Sequence, residues 1–81
     1  MIGLVKFNEK IGAIVIDDDP NIIRFIDIDH VLYLIDRREV ELKLHDDIFF
    51  YDVLGEPVTS YYYNEQTDDA FCALSAYLNK I

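Results

Sequence analysis

The chain is short of the residues that most often announce a chemistry. Its one cysteine, Cys72, rules out an intrachain disulfide, so nothing in it marks an oxidising compartment. Its three glycines, Gly3, Gly12 and Gly55, are too widely spaced to build a phosphate-cradling loop. Seven Lys and Arg stand against sixteen Asp and Glu, a formal charge of −9. The clustered cations that would neutralise phosphates are missing, which disfavours direct binding to nucleic acid or to an anionic membrane. No apolar run approaches the roughly 20 residues needed to cross a bilayer, and Met1 to Phe7 is too short for the core of an export signal. A cytoplasmic protein is expected.

What is present suffices for a core. A chain of 81 residues makes a single domain, 1–81, and a hydrophobic fraction of 52%, rich in Ile, Leu, Val, Phe and Tyr, is far above that of disordered chains.

The clearest strand runs from Glu39 to His45, where polar and apolar residues alternate without a fault. Val40, Leu42 and Leu44 share one face, expected to lie under a helix; Glu39, Glu41, Lys43 and His45 share the other. Upstream, Ile2 to Phe7 and Ile11 to Ile16 read as strands joined at Asn8-Glu9-Lys10. Neither alternates well, so the second is expected to be buried on both faces or to sit in a subunit contact. Gly12 suggests a bulge or close packing. Asp17-Asp18-Asp19-Pro20-Asn21 is a turn, followed by strands at Ile22 to Asp27 and Val31 to Ile35 and a hairpin at Asp36-Arg37-Arg38. Beyond Asp46-Asp47, strands are expected at Ile48 to Val53 and Val58 to Tyr63.

Thr67 is a suitable helix N-cap, with Asp68 and Asp69 in the first turn. Phe71, Leu74, Leu78 and Ile81, widened by Ala70 and Tyr77, form an apolar stripe made to lie on a sheet. The fold expected is α+β, an antiparallel meander of about five to seven strands with one C-terminal helix packed on one face.

Asp17 to Asp19 lacks the spacing and distal Glu of a calcium loop. Asp27, Asp29 and His30 offer a metal-dependent activity as an alternative, although carboxylates on a short connection are more often turn formers. Cys72 lies within the expected helix, where a thiol usually packs rather than attacks. No catalytic residue, cofactor or metal site is assigned, and a non-enzymatic protein is expected.

Protein binding is the stronger reading. Tyr61, Tyr62 and Tyr63 are consecutive, so either Tyr61 and Tyr63 pack under the helix with Tyr62 outside, or exposed rings serve a partner. Glu39, Glu41, Asp46, Asp47 and Asp52 cluster along the Glu39 to His45 strand and the one after it, suited to a basic protein surface, such as that of a nucleic-acid-binding protein. In size and charge balance the chain resembles the small acidic inhibitors carried by phages and mobile elements that act as nucleic-acid mimics. That resemblance is one of composition and rests on no motif. The alternative is a homo-oligomeric assembly module, a homodimer paired through the N-terminal strands.

Overall fold

The computed structural model describes residues 3–15, 19–61, 63 and 65–80; Asp17 and Asp18 of the acidic turn, Tyr62 and Ile81 lie outside them. Strand β1 (Leu4–Phe7) turns into β2 (Lys10–Ile14) through Asn8 and Glu9, both left-handed at φ 47° and 63°. That is the twist a two-residue hairpin requires. β3 (Ile22–Ile26) and β4 (Leu32–Asp36) follow, each antiparallel to the strand before it. The expected hairpin at Asp36-Arg37-Arg38 is instead a 3₁₀ turn, Arg37–Glu39, capped by the Asp36 side chain. It leads into β5 (Val40–His45), which pairs with β6 (Ile48–Val53) around Asp46 and Asp47 at φ 50° and 66°. β7 (Val58–Ser60) and the helix α1 (Glu65–Leu78) complete the chain.

The strands form one seven-stranded sheet in the order β5-β6-β1-β2-β3-β4-β7. The α+β architecture is as expected, with the C-terminal helix on one face. The sheet is mixed, because β6 returns beside β1 in parallel, Tyr51 opposite Val5.

That order forces the sheet to curl. β4 and β5 lie five places apart, which in a flat sheet is about 24 Å. Between Asp36 and Val40 the chain reaches at most about 15 Å, even fully extended. The far strands must therefore fold toward each other, and a core fills the concave side. Val5, Phe7, Ile23, Phe25 and Ile35 are buried there, with Val40, Tyr51 and Val53 packed around them. The Phe7 ring meets Phe25 at 4.8 Å and Tyr33 at 4.7 Å, both edge to face. The two crossovers are also tied together, since Leu54 N–H donates to the Glu39 carbonyl at 2.7 Å.

On the convex side α1 lays Ala70 and Leu74 against Ala13, Val15, Ile26 and Leu32, flanked by Phe71 and Leu78. Four of the expected stripe residues thus do face the sheet. The helix begins at Glu65, two residues before Thr67, so Thr67 is not its cap and is buried within its first turn. β2 is buried on both faces, as its missing alternation suggested. A Cβ on Gly12 would lie 2.6 Å from the Ile26 carbonyl oxygen, so close strand packing explains that glycine.

One expectation is reversed. Val40, Leu42 and Leu44 oppose Val53, Tyr51 and Phe49, and Tyr51 opposes Val5, so the apolar side of β5 belongs to the face away from α1. β5 is an edge strand, and Leu42 and Leu44 are 54% and 55% exposed.

Candidate protein-interaction surface

The expected site residues divide between two places in the sheet. The β5–β6 hairpin carries the carboxylates at one end of the strand order, whereas the tyrosines follow β7 at the other. They do not form one surface through strand adjacency.

On the hairpin, acids and bases alternate. Glu41 and Lys43 sit on the helix-side face of β5, two residues apart, and pair at 3.7 Å. His45 Nε2 lies 2.9 and 3.0 Å from the two Asp52 oxygens across the strand pair, with Phe50 edge-on to its ring. Lys6 stands opposite Asp52 on β1, its ammonium 5.2 Å from the Phe50 ring centre. The expected row of carboxylates is therefore interrupted by cations. Glu39 lies just outside β5; it ends the 3₁₀ turn and its carboxylate lies against Gly55. Asp46 and Asp47, at the exposed tip, carry no ion pair among the described residues.

The apolar side of the hairpin, expected to lie under the helix, is instead an exposed surface. Leu42, Leu44 and Phe49 share the face away from α1, and Phe49 is 63% exposed. Three large apolar side chains held together in water are the kind of patch that marks a contact site. The alternation of β5 groups these side chains on one face, and strand order decides that the face is left uncovered.

At the other end, Tyr61 is 88% exposed and Tyr63 is largely so; neither packs under the helix. The Tyr63 hydroxyl donates to Asp68, and that bond holds its phenol above the ordinary value of 10.0. Its ring stands edge-on to His30, which stacks on Phe71 at 3.8 Å. Cys72 is exposed rather than packed.

Asp27, Asp29 and His30 serve the β3–β4 turn. Asp27 is buried, and its Oδ1 accepts the Asp29 and Val31 amide N–H groups while Oδ2 accepts the Tyr33 hydroxyl. Lys10 Nζ is 4.0 Å away. Its oxygens are thus occupied by the protein's own donors, and His30, at φ 63°, turns its ring onto Phe71. Among the described residues no three His, Cys, Asp or Glu side chains converge as metal ligands would.

A shallow depression of about 350 Å³ lies between the β1–β2 turn and the hairpin, lined by Lys6, Lys10, His45 and Asp52 among others. Its lining brings no serine, threonine or cysteine to His45. Known protein families, curated proteins and solved structures were compared with the chain, and none matches it.

Proposed function

We propose that this protein is a small acidic, non-enzymatic binding domain whose β5–β6 hairpin engages a basic protein surface. The observation that carries the reading is the hairpin itself: exposed Leu42, Leu44 and Phe49 supply contact area, and the Asp46-Asp47 tip adds charge beside them. A net charge of −9 favours encounter with a cationic partner and repels nucleic acid. A partner whose basic groove also takes nucleic acid fits this chemistry, which makes the protein an inhibitor by occupation.

The test is capture of host proteins on the immobilised domain at low salt, followed by measured binding of the recovered partner. Affinity should fall with added salt, and Asp46→Lys with Asp47→Lys should weaken it by about tenfold or more. DNA should compete for the partner. Binding indifferent both to salt and to those reversals would remove the electrostatic mechanism.

A further inference from the structure

The free edge of β5 has a defined phase. Leu54 N–H donates to the Glu39 carbonyl, so odd-numbered residues of this segment turn their backbone groups toward β6. A two-residue hairpin at Asp46-Asp47 demands the same, because the residues flanking such a turn form a hydrogen-bonded pair. Antiparallel bonding alternates, which leaves the N–H and C=O groups of Leu42 and Leu44 and the C=O of Val40 pointing outward from an edge with no neighbouring strand among the described residues; the Val40 N–H donates to the Arg37 carbonyl of the 3₁₀ turn. The expected N-terminal pairing has no such edge to use, since β1 and β2 each lie between two strands.

We propose that this edge pairs with the same edge of a second copy, antiparallel about a two-fold axis through Leu42. Only residues with outward backbone groups can exchange bonds, so Leu42 meets Leu42 of the second copy and Val40 meets Leu44 of the second copy. Leu42 then exchanges both bonds with Leu42 of the second copy, and the Leu44 N–H donates to the Val40 carbonyl of the second copy. The register also places Glu41 opposite Lys43 of the second copy, twice by symmetry, in the closely spaced non-hydrogen-bonded pairs. Together with the existing Glu41–Lys43 contact, the two strands form a ring of alternating charge. Sliding the register to the next allowed position sets Glu41 against Glu41 in one direction and Lys43 against Lys43 in the other. Charge therefore selects the central register.

The other face supports the same pairing. Leu42 and Leu44 are more than half exposed in the single chain, and the contact sets them against Leu42 and Val40 of the second copy. An edge lysine ordinarily discourages strand addition, and here it rejects strands lacking an acid at the matching position. The dimer shares Leu42 and Leu44 with the surface proposed for the basic partner but leaves Asp46 and Asp47 outside, so charge exchange at Glu41 and Lys43 tests the dimer and reversal at Asp46 and Asp47 tests the partner.

Sedimentation equilibrium of the pure protein tests the proposal. The unaltered chain should dimerise, and Glu41→Lys and Lys43→Glu should each weaken dimerisation by about tenfold or more, because each turns both cross-strand pairs repulsive. Mixing those two variants should restore a dimer containing one of each, since every pair is then opposite in charge. Both substitutions are on an exposed edge, and unchanged circular dichroism would show that folding is intact. A chain that stays monomeric at millimolar concentration, single variants that dimerise like the parent, or a mixture that stays monomeric would each overturn the proposal.

Discussion

The Tyr33 hydroxyl donates to Asp27 Oδ2 at 3.0 Å, completing the hydrogen bonding of a buried carboxylate whose other oxygen holds the amides of Asp29 and Val31. Through this contact the β3–β4 turn is fixed to the concave core, where Tyr33 stacks on Phe25 at 5.4 Å.

Tyr33→Phe should therefore lower the unfolding free energy by about 1–2 kcal/mol, and Asp27→Ala by about 3 kcal/mol, because it leaves several buried donors without an acceptor. Urea unfolding reads both. Burial and the Asp27 bond raise the Tyr33 phenol above its ordinary value of 10.0. A raised value means stability that is full below pH 10.0 and is lost as pH rises through the folded value. Urea midpoints taken from pH 9 to pH 12 should show that loss in the parent and a smaller one in Tyr33→Phe.

Arg38 donates to both oxygens of Asp36 at 3.1 and 2.8 Å, and its amide donates as well. These bonds hold the Asp36 carboxyl down to about 2. In an NMR titration Asp36 should have its midpoint there, and Arg38→Ala should move it up toward the ordinary 3.8. The contribution of the folded carboxylate is present above 3.8 and lost as pH falls through about 2. Asp36 titrating near 3.8 in the parent protein would contradict this account of the 3₁₀ turn.

At Gly12 the obstacle to a side chain is backbone, the Ile26 carbonyl, with the Phe7 and Phe25 rings at 3.2 and 3.3 Å behind it. Gly12→Ala should cost about 1–3 kcal/mol by forcing β2 and β3 apart. Thermal unfolding followed by circular dichroism would measure it, and an unchanged midpoint would show that the strands adjust freely.

Asp47 sits at φ 66°, where a residue with a Cβ is strained and glycine is not. Asp47→Gly should raise stability by about 0.5–1 kcal/mol, seen as a higher urea midpoint with an unchanged slope.

Much of this fold is legible in the residues. Turn chemistry at Asn8-Glu9 and Asp46-Asp47 marks two hairpins, and the spacing of Ala70, Phe71, Leu74 and Leu78 gives the helix and the side it buries. Unbroken apolarity around Ala13 gives a strand covered twice. Alternation in β5 was a weaker guide, because it tells which side chains share a face and leaves open what covers that face. Whether Leu42 and Leu44 are core or surface depends on strand order, and that order depends on β6 finding β1 more than forty residues away. The same long-range choice separates Tyr61 and Tyr63 from Glu41 and Asp52, which local pattern could not reveal. Asp36-Arg37-Arg38 read as a hairpin because a charged tripeptide between strands looks alike whether the chain reverses or crosses over.

The parallel pairing of β1 with β6 has a consequence for how the protein is made. As the chain leaves the ribosome, β1 can join β2 at once, but its other side stays bare until residue 53 has emerged. Val5 and Phe7 spend that interval without their full cover. β1 is thus made well before the strand that completes its pairing.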